Sequence, residues 1–145
     1  MASTFYTYGL FVTRLLAGDI NFSSDTIKIM MTTSSYSPDQ DTHDYKDDVT
    51  NEVSGTGYTA GGATLANKSV GYTAGTNVTK VDADDVTWSS STITNARIAV
   101  IYKDTGVDAT SPLIGYTDFG ANKSSDNGDF TIQFDADGIF TLTTG

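Results

Sequence analysis

The sequence predicts a mainly β protein: an antiparallel β-sandwich or jelly-roll-like barrel with one short N-terminal helix, in a single domain over residues 1–145. Three observations carry the prediction. Threonine, serine, tyrosine, valine and isoleucine are abundant while glutamate occurs once, a profile suited to a pleated, half-buried surface rather than to helix. Apolar residues recur with a period of two in several short runs. Fourteen glycines supply the turns that many short strands require. No crossover helices separate the runs, which excludes a parallel α/β sheet.

The first element is the helix, expected over about residues 5–17. Tyr8, Phe11, Val12, Leu15 and Leu16 follow the i, i+3, i+4, i+7, i+8 pattern. Thr4 or Thr7 is the candidate cap, and Gly18 stands where a left-handed stop belongs. The same stretch has no basic leader region, Arg14 interrupts it, and it is too short to span a bilayer.

Past the helix the period becomes two. Thr26–Thr32 alternates Ile27, Ile29 and Met31 against Lys28 and Met30. In Ala96–Lys103, Ile98, Val100 and Tyr102 share one face, while Ile101 breaks the polar character of the other, as in a central strand covered on both sides. Val78–Asp82, Val86–Trp88 and Leu113–Phe119 read as further strands, with Tyr58–Leu65 and Lys68–Thr73 as weaker ones. Phe130, Ile132 and Phe134 are followed by Asp137-Gly138 and then Phe140 and Leu142, which predicts an antiparallel hairpin. The motif GYTAG at Gly57–Gly61 and again at Gly71–Gly75 reads as a recurrent way of joining turn to strand, because repeat architectures have longer periods.

A formal charge of −10, from 18 acidic and 8 basic residues, argues against nucleic acid, whose phosphates need clustered Lys and Arg. Without cysteine there are no disulfides or thiolate metal sites. The segment most unlike an ordinary connection is the long acidic loop expected over about residues 33–57. Tyr36, Asp39, Asp41, His43, Asp44, Tyr45, Asp47 and Asp48 are its candidate site residues, read as an interface.

Catalysis by His43, the single histidine, would need an activated nucleophile and an orienting acid. No G-x-S-x-G elbow exists. Calcium would find oxygens in the acidic cluster, but the EF-hand spacing fails: Asp44 stands at position six and no glutamate at twelve. A solvated acidic loop is the preferred reading, with calcium as the alternative and no cofactor otherwise expected. Paired carboxylates for glycoside hydrolysis are not singled out. Trp88 and the tyrosines are either packing residues or a sugar platform. No enzyme assignment follows.

The run SDTIKIMMTTSSYSPDQDTHDYKDDVTNEVSGTGYTAGGATLANKSV resembles a group of small structural proteins encoded by tailed bacteriophages. DDVTWSSSTITNARIAVIYKDTG, SPLIGYTDFG and FTIQFDADGIFTL extend the resemblance over nearly the whole chain. The order of helix, SDTIK strand and Y-x-P-D-Q-D-x-H is its most specific part. The resemblance implies a non-enzymatic virion protein, assembled in the host bacterial cytoplasm, and brings no catalytic or ligand residues with it. The leading expectation is a head decoration or cement protein that binds the major capsid protein as a homo-oligomer, without nucleic acid or membrane as partner. The alternatives are a tail-associated or fibre module binding a host glycan, and a head–tail joining component.

Overall fold

The computed structural model describes residues 4–145. In chain order the elements are β1 (Phe5–Thr7), α1 (Phe11–Ala17), β2 (Ile27–Thr32), β3 (Ala63–Thr64), β4 (Ser69–Thr73), β5 (Val78–Asp82), β6 (Val86–Lys103), β7 (Leu113–Ile132) and β8 (Phe140–Thr143). They form a five-stranded sheet of order β1-β7-β6-β2-β3 and a three-stranded sheet of order β4-β5-β8. Every strand pair is antiparallel. The mainly β fold with one short helix thus stands as a two-sheet sandwich.

The large sheet is covered on both faces. Towards the small sheet, Ile27, Ile29 and Met31 of β2 and Ala99 and Ile101 of β6 pack with Val81, Ile139 and the half-buried Phe140. On its far face Met30, Ile98, Val100, Tyr102 and Leu113 form a second cluster with Tyr8 and Tyr36. β6 lies between β2 and β7, and because both faces of the sheet are covered its residues from Ile98 to Tyr102 are apolar on both sides. Trp88 belongs to the first cluster, 6% exposed, between Tyr58 and Phe130.

Several sequence expectations change. The helix does not begin at residue 5. Residues 5–7 form an edge strand on β7, and the helix starts at Phe11 without a side-chain cap. The aromatic and β-branched residues of Thr4–Thr7 suit an edge strand. The apparent helical stripe joins a residue of the connection after β1 to residues of the helix: Tyr8 enters the far-face cluster, Phe11 the main core. Gly18 does close the helix, with φ 84° and its N–H bonded back to the last turn.

The second correction concerns Asp137-Gly138. One bridge, Asp135↔Gly138, closes a turn, but the strand after it does not pair with β7. β8 pairs with β5, and the Ile139 N–H donates to the Val81 carbonyl at 2.8 Å. The Phe140 ring then meets Phe5, Phe11 and Phe22 at centroid distances of 5.2, 5.6 and 6.3 Å. Burial of that aromatic cluster outweighs the local hairpin signal.

β6 and β7 are far longer than the short strands expected, at 18 and 20 residues. Successive register shifts between Trp88 and Ile98 bend the pair. Ser90, Asn95 and Asn127 take positive φ there, the mark of bulges that re-aim a strand.

Candidate functional site

The segment between β2 and β3 is folded down rather than free in solvent. Tyr36 and Val49 reach the far-face cluster, so the acidic excursion forms the cover of the large sheet. Its ends meet where the Thr33 N–H donates to the Asn51 carbonyl at 2.9 Å. Its middle is held by Arg14, whose guanidinium donates to the Asp44 carbonyl at 2.8 Å and lies 4.4 Å over the Tyr45 ring. Leu113 N–H donates to the same carbonyl, and Lys46 N–H to that of Ser111. The Gln40 amide donates to the Thr7 carbonyl.

Tyr36 joins the interior of this cover to its rim. Its hydroxyl lies 2.8 Å from that of Tyr8 and 3.0 Å from His43 Nδ1. The Asp39 N–H also donates to His43 Nδ1, at 3.1 Å. Nδ1 is therefore the unprotonated ring nitrogen. Tyr36 donates to it and accepts from Tyr8, so the chain runs one way. Burial raises the Tyr8 and Tyr36 hydroxyls above their ordinary range, keeping both neutral donors. His43 stacks on Tyr36 at 5.5 Å.

The carboxylates divide into two kinds. Asp39 Oδ1 accepts from the N–H groups of Asp41 and Thr42, which with the Thr42 side chain hold its carboxyl below the usual value. Asp48 Oδ2 accepts from the N–H groups of Asp44 and Tyr45, with the same effect. These two organise the backbone. Asp41 and Asp47 are exposed and form the outward acidic rim, while the Asp44 residue is half-buried and contributes its carbonyl to the clamp. Among the described residues no group of three His, Asp or Glu side chains converges as a metal would require.

Sequence reasoning missed Arg14, Gln40 and Tyr8 as partners of this segment. It also missed Glu52, which accepts from the Tyr58 hydroxyl and the Gly61 N–H, each at 2.8 Å. The available signals were Tyr36 and Val49, isolated large apolar groups in a polar stretch. Trp88, the candidate sugar platform, is a core residue. Among the described residues no helix is long and apolar enough to cross a membrane.

No family model, curated protein or solved structure matches this chain.

Proposed function

We propose that this chain is a structural subunit of a tailed-phage particle, a head decoration or cement protein that docks on the outer capsid. The observation that carries the reading is the acidic cover of the large sheet: a rim bearing Asp41 and Asp47 on a backbone already fixed by Asp39, Asp48, Tyr36 and Arg14. Ordering such a segment is a main cost of association, and a pre-fixed rim lowers it. Its negative charge suits a basic patch on the major capsid protein. The resemblance to small phage structural proteins supplies the biological setting.

The test is co-sedimentation of the purified protein with mature capsids. Charge reversal at Asp41→Lys with Asp47→Lys is preferable to deleting the segment, which would uncover Tyr8, Tyr36 and Val100. The double variant should keep its fold and bind capsids at least about tenfold more weakly. Retention on isolated tails and absence from capsids would sink the proposal.

A further inference from the structure

The three-stranded sheet is amphipathic and only partly covered. Its register places Val70, Val81 and Phe140 in one row and Tyr72, Thr79 and Leu142 in the next, all on one face. Val81 and Phe140 reach the main core. Val70, Thr79 and Leu142 border a groove of about 360 Å³ whose other wall carries Leu15, Ile20 and Phe22. Val70 and Tyr72 stand 47% and 58% exposed.

β4 is also an open edge. Its outward polar groups can be assigned from its neighbours. The Val81 carbonyl accepts from Ile139 and the Asn77 carbonyl from Thr144, so alternate residues from Asn77 to Val81 address β8. Lys80 and Asp82 then address β4, opposite Gly71 and Ser69. By the alternation of an antiparallel ladder, Val70 and Tyr72 turn their N–H and C=O groups away from β5. Natural edges are usually blunted by charge, proline, bulges or shortness. Here β1 and β3 are short, at three and two residues, but β4 has five residues, all exposed, without charge or proline.

We propose that β4 pairs antiparallel with β4 of a second copy about a two-fold axis at Gly71, joining the two small sheets into one. The strand is self-complementary in this register. Val70 of each copy stands opposite Tyr72 of the other, an aromatic–β-branched pair on the apolar face. Both outward N–H and C=O sets meet their counterparts, as an isologous interface requires. A side chain at Gly71 would meet nothing within 4 Å, so neighbouring groups leave the axis clear. The self-complementary register, rather than charge, selects a second copy as the occupant. Two chains of −10 repel, but Ser69–Thr79 contains no charged residue. The acidic rim covers the large sheet on the side away from the small sheet, so pairing keeps the two rims apart.

Sedimentation velocity and concentration-dependent amide exchange on the full chain test this. The wild type should form a dimer of about twice the 15.4 kDa chain mass, with the Val70 and Tyr72 amides protected at high concentration and exchanging freely on dilution. Val70→Lys should weaken the dimer by about tenfold or more. Val70→Pro removes an outward N–H without touching the bond to β5, and serves if the lysine variant fails to fold. Leu16→Ser, at an exposed helix position, should leave the dimer unchanged. A wild type monomeric at every concentration overturns the proposal, as does a dimer indifferent to both Val70 variants or an open ladder of oligomers. The pairing stands apart from capsid docking. A monomer that binds capsids overturns the pairing alone, and a dimer that ignores them overturns only the capsid reading.

Discussion

At Tyr36 both ring and hydroxyl hold the acidic cover. Tyr36 is 3% exposed, and its hydroxyl links buried Tyr8 to His43 at the rim. Tyr36→Phe keeps the packing but leaves the Tyr8 hydroxyl without this acceptor. Losing a buried partner costs about 1–3 kcal/mol, read as a lower urea midpoint at unchanged slope. An unchanged midpoint would mean that the chain of hydroxyls contributes nothing. Asp48 yields a pH prediction. Backbone N–H groups hold its folded-state carboxyl below the ordinary 3.8, so between those values the unfolded chain binds more protons. Its contribution is complete above 3.8 and fades as pH falls through the folded value. Asp48→Asn keeps an acceptor but removes the titration. Its stability deficit, from denaturation across pH, should therefore shrink as the medium becomes acidic; a deficit that grows contradicts the assignment. The sequence brought these residues to notice as one cluster. It could not separate the carboxylates that cap backbone from those that face out, because both kinds are aspartates in the same polar stretch.

Among the elements, period-two alternation located β2 almost to the residue, because Ile27, Ile29 and Met31 form one apolar face directed at the core. It fell short for β6 and β7, where alternation breaks at bulges and the chain reads as separate short strands. Asn95, with φ 59°, is one such break, and the Ser124 hydroxyl accepts from its N–H at 2.9 Å. A β-branched side chain is a poor fit to that conformation. Asn95→Val should lower stability by about 1–2 kcal/mol, the cost of a left-handed L-residue, whereas Asn95→Gly should be nearly neutral. Equal losses in calorimetry would mean that the side chain, not the backbone, matters. Gly62 makes a sharper case at the entry to β3. Its φ is 82°, and an added Cβ would lie 1.9 Å from the Ile29 carbonyl oxygen. Gly62→Ala should cost more than about 2 kcal/mol and release β3 from β2, seen as faster amide exchange at Ala63 and Thr64. The hairpin expected at Asp137-Gly138 failed for the opposite reason: the turn is real, but long-range aromatic packing chooses the partner strand.

For the whole molecule, charge composition makes a prediction that no single contact does. Among the described residues five ion pairs join Lys28–Asp104, Lys46–Asp108, Lys80–Asp82, Arg97–Asp118 and Lys103–Asp25. Each has at least one partly exposed partner, and such pairs are worth about 0–1 kcal/mol apiece. Salt weakens them, which by itself would lower stability. Against this stands a net charge of −10, whose self-repulsion opposes the compact state and is screened by the same ions. Most of the cations already sit beside carboxylates, so the uncompensated charge is acidic and spread over the surface. Screening of that excess should win as the Debye length shortens to about 8 Å at physiological salt. The melting temperature should therefore rise between low and physiological sodium chloride, then level off once the long-range repulsion is screened. Sodium sulfate would confound the measurement by strengthening apolar burial, so chloride is the proper salt. A melting temperature that falls with added chloride would show that the five pairs, rather than the net charge, govern the electrostatics of the fold.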